Sequence, residues 1–199
     1  MITGPKYKIC RRLGPGVYEK CQTQKFTISE AGRGKVRRRK TMSDYGNQLL
    51  DKQRIRFSYG LSERQFAKYV KEAMKSHGSA TNHLFEKVET RLDNTIYRLG
   101  LAHTRALSRQ MVTHGHFTVN GKRVNVPSFQ VKPGDKISIR EGSRNKALFQ
   151  DLAKKLKGHI NPEWLRFDIE KNLAEVLGRP KMVAGEMLNF PSVIEFYSR

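Results

Sequence analysis

Four arginines recur at short intervals in the middle of the 199-residue chain, at Arg91, Arg98, Arg105 and Arg109. Spacings of seven, seven and four residues place them on a common face within each predicted helix, away from the apolar positions. A guanidinium group binds a phosphate through a planar fork of donors, and it also stacks on an unpaired base. The spacing therefore predicts a surface for a phosphate backbone, and the alternative interpretation is an ordinary solvated helix face.

Polar side chains in the same segment extend this surface. Asn94, Thr104 and Ser108 add neutral donors. Lys122 and Arg123 lie at the tip of a predicted hairpin, from which they can reach a second strand of phosphate backbone. The fifty-residue segment that contains them holds nine basic residues and two acidic ones. Because soluble surfaces usually mix both signs, this excess favours the phosphate-binding interpretation.

The whole chain is strongly basic. It has 39 Lys and Arg residues against 18 Asp and Glu, a formal net charge of +21 and a pI near 10.3. Residues 1–43 carry a net +10 and residues 91–140 a net +7, so a polyanionic partner is expected. Because the N-terminal region has few large apolar residues, we expect it to order on a phosphate backbone; a disordered solubilising or targeting tail is the alternative.

Helices with recognisable ends precede the central segment. One helical segment ends at Gly60, and the next begins with a capping box from Ser62 to Gln65. Leu61 and Phe66 flank this box as a hydrophobic staple. The apolar stripe that follows is typical of a helix packed against a core.

The central segment combines helices with a small sheet. A helical stripe continues from Leu84 to Leu99 and is broken at Gly100, after which Thr104 is the predicted N-cap of a helix over Arg105–Thr113. Alternating apolar residues on both sides of the Asn-Gly pair at 120–121 predict a hairpin with a type I′ turn. A turn at 133–135 and a third strand complete a helix pair packed on a sheet.

These residues carry a resemblance to known families. Parts of the central segment resemble the alpha-L RNA-binding motif: Arg91-Leu92-Asp93-Asn94, Tyr97-Arg98-Leu99-Gly100, Thr104-Arg105-Ala106, residues 119–125 and residues 131–135. Stretches across the wider chain resemble the bacterial-type small-subunit ribosomal protein four family: Ser43-Asp44-Tyr45-Gly46, Tyr59-Gly60, residues 63–66, Trp164-Leu165 and residues 195–199.

The resemblance implies an α+β fold, in which a mostly helical domain is interrupted by an alpha-L module of two short helices on a small antiparallel sheet. A basic extended N-terminal arm precedes both parts. The expected divisions are the arm at 1–43, the helical domain at 44–90, the module at 91–140, and a C-terminal segment at 141–199 that extends the module and returns to the helical domain.

The resemblance also implies a function without catalysis or cofactors. Members are structural constituents of the small ribosomal subunit that bind a helix junction in the 5′ domain of 16S-type rRNA and nucleate assembly. They lie beside ribosomal proteins three and five, near the channel through which messenger RNA enters, and contribute to translational accuracy. The expected location is the cytoplasm, within the ribosome, although an organellar ribosome is left open.

Carried over by position, the expected RNA contacts include the central donors and two further groups of basic residues. The full set is Arg37, Arg38, Arg39, Lys40, Lys52, Arg54, Arg56, Arg64, Arg91, Asn94, Arg98, Thr104, Arg105, Ser108, Arg109, Lys122 and Arg123.

Two other classes of protein use the same module. An enzyme such as a pseudouridine synthase or a tyrosyl-tRNA synthetase would need a further domain, for which this chain has no room, and the sequence has no phosphate-cradling glycine loop or nucleophile elbow. A free RNA-binding stress or recycling factor is the remaining alternative. Such a factor should not be present at one copy per small ribosomal subunit.

The pattern of cysteines and histidines predicts that the chain has no metal site. Some members of the resembled family bind zinc through four N-terminal cysteines, whereas this chain has Tyr7 at one such position and keeps only Cys10. Cys10 and Cys21 are too few for a tetrahedral site or a disulfide framework and suit a reducing compartment. His103, His114 and His116 are expected to serve an RNA face rather than a metal, and Asp93 to orient Arg91 or a nearby backbone group. No apolar stretch suggests a membrane span or a signal peptide.

Overall fold

The computed structural model describes residues 4–31, 42–150, 152, 156, 158–169, 171–182 and 188–198. The chain forms two compact units, one of residues 1–84 with 182–199 and the other of residues 85–181. We call them the helical unit and the sheet unit. In the described ranges, no helix is both long and apolar enough to cross a lipid bilayer.

The helical unit consists of α-helices joined by short turns. Its elements are α1 (Lys6–Leu13), two 3₁₀ turns (Pro15–Val17 and Glu19–Gln22), α2 (Gln24–Ala31), α3 (Asp44–Ser58), α4 (Glu63–Lys75) and, at the end of the chain, α9 (Phe190–Ser198). Helix α5 (Ala80–Glu89) contains the boundary between the units.

The corner between α3 and α4 follows the predicted local chemistry. Gly60 adopts a φ of 62°, and backbone bonds from Gly60 to Phe57 (3.1 Å) and from Leu61 to Arg56 (2.9 Å) satisfy the last carbonyls of α3. The Ser62 hydroxyl then accepts the Gln65 N–H at 3.3 Å, which caps α4. The N-cap at Ser62 is confirmed, whereas the Gln65 side chain donates to the Tyr69 hydroxyl at 3.2 Å instead of returning to Ser62 as a full capping box would.

The first thirty residues differ from the predicted extended arm. Residues 6–31 form α1, α2 and the two turns between them, around a small buried cluster of Cys10, Cys21 and Phe26. Cys10 and Cys21 form a disulfide bond, where two reduced cysteines were expected. The tight turns place their Cα atoms 6.4 Å apart, within reach of a covalent bridge, and the bridge compensates for the scarcity of large apolar side chains.

The sheet unit contains an antiparallel sheet, with two helices before the first strand and a short helix between the third and fourth strands. Its elements are α6 (Leu92–Arg98), α7 (Arg105–Thr113), β1 (Phe117–Val119), β2 (Lys122–Val124), β3 (Lys136–Ile139), α8 (Glu141–Arg144), β4 (Leu165–Asp168) and β5 (Leu173–Val176). The strand order is β2-β1-β3-β5-β4. The prediction of a small antiparallel sheet and an α+β class is confirmed, but the sheet has five strands because β4 and β5 extend the three predicted ones.

The predicted hairpin has the expected turn. Asn120 and Gly121 both adopt positive φ angles, 50° and 79°, as a type I′ turn requires, and Val119 pairs with Lys122 across it. The Asn120 side chain donates to Asp135 at 2.8 Å and accepts the Lys136 N–H at 2.9 Å. The hairpin is thereby tied to the start of β3.

One predicted helical stripe is interrupted. The chain leaves the helical conformation between α5 and α6, where Arg91 is extended and forms an isolated bridge with Gln130. Backbone bonds from Val131 to Thr90 and from Leu92 to Phe129 hold the break open. The apolar stripe from Leu84 to Leu99 is therefore two helices rather than one.

A polar cluster fixes the last helix within the helical unit. Glu63 pairs with Lys52 at 2.5 Å and accepts the Tyr197 hydroxyl at 2.8 Å, and the Lys52 ammonium lies 4.8 Å from the centre of the Phe196 ring. Burial favours a higher pKa for Glu63, but bonds from Lys52 and Tyr197 and the charges of Lys52 and Arg56 outweigh it, so its pKa is lowered. Burial and the Glu63 bond raise the pKa of Tyr197.

The lowered pKa of Glu63 predicts a pH-dependent contribution to stability. A carboxyl group whose pKa is lowered by folding stabilises the fold at pH values above its unfolded pKa of 4.5. That contribution is lost as the pH falls through the pKa of the folded state. Glu63→Gln should therefore lower the free energy of unfolding at pH 7, measured by urea titration, by roughly 1 kcal/mol or less because the Glu63 side chain is half exposed. The difference from the unmodified chain should vanish near pH 3, as followed by far-ultraviolet circular dichroism; a difference that persists there would contradict this account.

Candidate nucleic-acid interface

A buried carboxylate, Asp93, lies at the centre of the predicted arginine face. Arg91 donates to its two oxygens at 3.0 and 2.7 Å, and Arg109 donates to one of them at 2.8 Å. The backbone N–H of Asn94 adds a bond of 2.9 Å. The prediction that Asp93 orients Arg91 or a nearby backbone group is confirmed, and the same carboxylate links Arg109 of α7 to the start of α6.

A second buried carboxylate, Glu89, holds the other end of the face. Arg98 binds both of its oxygens, at 2.9 and 2.6 Å, and the Asn94 side-chain amide donates to one of them at 2.9 Å. The amide oxygen of Asn94 accepts Arg105 Nε at 2.8 Å. Arg105 is thus connected to Glu89 through one intermediary, and its guanidinium lies 4.3 Å from the centre of the Tyr97 ring.

We call this network the carboxylate brace: Glu89, Arg91, Asp93, Asn94, Arg98, Arg105 and Arg109. Its members differ in exposure. Arg91 and Asn94 are each only 2% exposed, and their side chains bind within the protein. The side chains of Arg98 and Arg109 remain 32% and 22% exposed, so part of each side chain faces solvent. The brace therefore has a buried layer that orients and an outer layer that can contact a ligand.

The remaining predicted residues of α7 serve its local structure. Thr104 caps the helix by accepting the Leu107 N–H at 3.1 Å, as predicted. Ser108 is fully buried and donates to the Arg105 carbonyl at 2.9 Å. Ser108 thus lies inside the fold rather than on the predicted surface.

The hairpin places Lys122 and Arg123 in solvent. Both side chains are exposed, and Arg123 donates to the His114 carbonyl at 3.3 Å. Its guanidinium lies against Gly115, where a Cβ atom would overlap the guanidinium nitrogens. Because Gly115 has no Cβ atom, the Arg123 guanidinium can pack directly against the backbone there.

The predicted residues of the helical unit are mostly engaged with their neighbours. Lys52 is buried in the cluster with Glu63, and Arg54 donates to the Leu13 carbonyl at 2.7 Å and to Asp51 at 2.8 Å. Arg56 binds Gln53 and Glu63, while Arg64 is exposed. The predicted contacts Arg37, Arg38, Arg39 and Lys40 lie outside the described residues.

A histidine behind the hairpin gathers further basic groups. His116 is buried, and its Nδ1 lies 2.9 Å from the Ser143 hydroxyl. Burial lowers its pKa, and the positive charges of Lys146, His114, Arg140 and Arg123 lower it further. In the described ranges, no three His, Cys, Asp or Glu side chains come together as metal ligands.

Comparisons with known proteins agree with this arrangement. Residues 1–89 match a family model described as the ribosomal protein S4/S9 N-terminal domain, and residues 90–137 match the S4 domain. The chain is 43% identical to the small ribosomal subunit protein uS4 of Roseiflexus castenholzii, and the match covers 98% of both chains. The proteins of the same name from Persephonella marina and Ruminiclostridium cellulolyticum are 42% and 39% identical, over 98% and 99% of this chain and 97% and 98% of their own length.

This chain belongs to the uS4 family. The resemblance inferred from the motifs is thereby confirmed, and so is the expectation of a structural ribosomal protein rather than an enzyme. The carboxylate brace lies almost wholly within the S4 domain, with only Glu89 preceding it by one residue. Helix α8 and strands β4 and β5 lie beyond the matched range but belong to the same compact unit.

Two residues of this uS4 chain escaped the sequence reasoning. Glu89 ends an amphipathic helix, where an acidic residue gives no local signal of pairing with Arg98 nine positions later. Ser143 lies 27 positions from His116, in a segment with weak helical patterning. In both cases the partner is brought close only by the packed sheet unit.

The buried part of the brace predicts a large loss of stability. Asp93→Asn removes the charge that compensates Arg91, so the guanidinium would stay buried without a counter-ion, and unfolding should become easier by about 3 to 5 kcal/mol. Urea unfolding followed by the fluorescence of the single tryptophan, Trp164, in the same unit measures this loss.

The matched control is Glu163→Gln, which removes one carboxylate from an exposed position of the sheet unit. It should change the free energy of unfolding by about 0.5 kcal/mol or less. Equal changes in the free energy of unfolding in the two variants would contradict the conclusion that the carboxylate brace stabilises the sheet unit.

Proposed function

We propose that this chain binds 16S-type rRNA directly, at a helix junction of the 5′ domain, and nucleates assembly of that domain. The proposal extends to a position beside ribosomal proteins five and three, near the channel through which messenger RNA enters. There the chain would contribute to translational accuracy, in a ribosome located in the cytoplasm. Membership of the uS4 family supports this function.

The observation that carries the proposal is the carboxylate brace. Long arginine side chains on a helix surface lose rotamer entropy when they bind, which weakens their contribution. Here Arg98, Arg105 and Arg109 are already held by Glu89, Asn94 and Asp93. These partly exposed arginine side chains are therefore held in fixed directions, as recognition of a folded backbone requires.

The buried layer has a positioning role in this mechanism. Arg91 and Asn94 would act through the residues that they orient, and Ser108 would act through the backbone of α7. Direct contacts are then assigned to the exposed or half-exposed members of the predicted set in the sheet unit, namely Arg98, Thr104, Arg105, Arg109, Lys122 and Arg123. Arg64 is the exposed candidate of the helical unit.

Specificity would come from shape rather than from base sequence. Duplex RNA hides its base edges in a deep groove, so proteins recognise the backbone and its arrangement at junctions. Backbone contacts supply the affinity, and a rigid array of donors fits one arrangement of strands better than others.

The proposal keeps the domain boundaries expected from the sequence, which fall after residues 43, 90 and 140. Over residues 6–31, however, helices take the place of the expected extended arm.

A salt series tests the proposed function. Binding of the full chain to a folded 5′-domain rRNA fragment is measured with an equal mass of unrelated duplex RNA as competitor. If roughly eight phosphates are neutralised, affinity should fall by about three or more decades between 50 and 200 mM salt. The preference for the fragment should persist near physiological salt; equal binding to both RNAs at every salt concentration would refute a specific rRNA function.

A double substitution tests the outer layer of the brace. Arg105→Ala with Arg109→Ala should weaken binding to the fragment by roughly 25-fold or more, because each charged bond to phosphate contributes about 1 to 3 kcal/mol. Unchanged affinity, with the fold retained by circular dichroism, would remove this face from the interface.

A further inference from the structure

A second basic surface lies at the hairpin end of the sheet unit. We call it the His116 cluster: His114, His116, Arg123, Arg140 and Lys146. All of its members except His116 are exposed, and the charges of the other four all act on the His116 ring. Arg123 belongs to the predicted set of RNA contacts, and His114 and His116 were expected to serve an RNA face, whereas Arg140 and Lys146 were not singled out from the sequence.

Backbone and side-chain bonds to His116 hold the cluster together. The His116 carbonyl accepts the Arg140 N–H at 2.9 Å, and its Nδ1 meets the Ser143 hydroxyl at 2.9 Å. Ser143 is itself buried, and its carbonyl accepts the Lys146 N–H at 3.0 Å. The short helix α8, with Arg140 before it and Lys146 after it, is therefore attached to the start of β1.

The charges of this surface are not neutralised within the described part of the chain. There, no carboxylate forms an ion pair with Arg123, Arg140 or Lys146. In the carboxylate brace, by contrast, Asp93 and Glu89 offset much of the positive charge. Converging cations without a counter-ion repel one another, so a bound anion would stabilise them.

The cluster also contains a fork in a fixed orientation. The Arg123 guanidinium packs on Gly115 and donates one bond to the His114 carbonyl, while its side chain stays exposed. Arg140 and Lys146 add exposed charges at the two ends of α8, which is bonded to His116 and Ser143. A fixed fork flanked by further cations is the arrangement that suits a phosphate group on a continuous backbone.

We propose that the His116 cluster is a second phosphate-contact site, which binds the sugar-phosphate backbone of the same RNA beyond the S4 domain. The inference rests on the proposed function and extends the interface to residues 140–146. Arg123, Arg140, Lys146 and His114 contact the backbone, while the His116–Ser143 pair is a positioning element. The site adds affinity that depends on charge and on the attachment of α8.

The test compares salt slopes of binding to the 5′-domain fragment. Arg140→Gln with Lys146→Gln removes two exposed charges and should weaken binding at 100 mM salt by about 10-fold. If each residue neutralises one phosphate, the slope of log affinity against log salt should become shallower by about 1.8. The charge-conserving pair Arg140→Lys with Lys146→Arg should keep the original slope.

A matched control removes the same charge elsewhere in the unit. Arg166 and Lys171 are exposed and belong to β4 and the turn after it, at the sheet edge opposite to the hairpin strand β2. Arg166→Gln with Lys171→Gln should leave the slope unchanged and alter affinity by less than about 2-fold. Equal losses in both pairs would mean general electrostatics and would overturn the proposal.

Failure of this site is separable from failure of the proposed function. Equal binding of the fragment and of unrelated duplex by the unmodified chain would refute specific rRNA recognition, whereas the slopes of the two charge-removing pairs still decide whether the cluster contacts phosphate. An unchanged slope in Arg140→Gln with Lys146→Gln would overturn the phosphate site. It would direct attention to an acidic protein surface as the occupant.

Discussion

The pairing of buried carboxylates with arginines is the constraint on which the sheet unit depends. Asp93 and Glu89 are removed from water, and an unpaired carboxylate in such a place would be too costly to keep ionised. Each therefore needs a cationic partner: Asp93 pairs with Arg91, just before α6, and with Arg109 of α7, whereas Glu89 pairs with Arg98 of α6. The Asp93 pairs thus join the start of α6 to α7 and orient the arginines that they hold.

The same constraint explains why reading the sequence found the face but misjudged its layers. Spacing correctly placed Arg98, Arg105 and Arg109 on a common surface, because helical periodicity is a local property. It could not distinguish them from Arg91, which lies outside the helix because residues 127–131 bond to the backbone of its neighbours Thr90, Leu92 and Asp93. Burial at that position is decided by a loop distant in sequence.

Other outcomes follow the same division between local and long-range causes. The caps at Ser62 and Thr104 and the turn at Asn120-Gly121 were predictable, because each is determined within four residues. The Cys10–Cys21 bridge and the pairing of β3 with β5 were not, since they depend on how separate turns and strands come together.

The strand order has a consequence for the synthesis of the chain. Strand β3 lies between β1 and β5, so one of its edges has no partner until residues 173–176 have been translated and released from the exit tunnel. The helical unit likewise receives α9 only from residues 190–198. The sheet unit therefore cannot complete its sheet until β5 is available, and an exposed strand edge is open to wrong pairing during that interval. Each unit thus matures only after a segment far along the chain from its first elements has been made, since β5 closes the sheet and α9 returns to the helical unit.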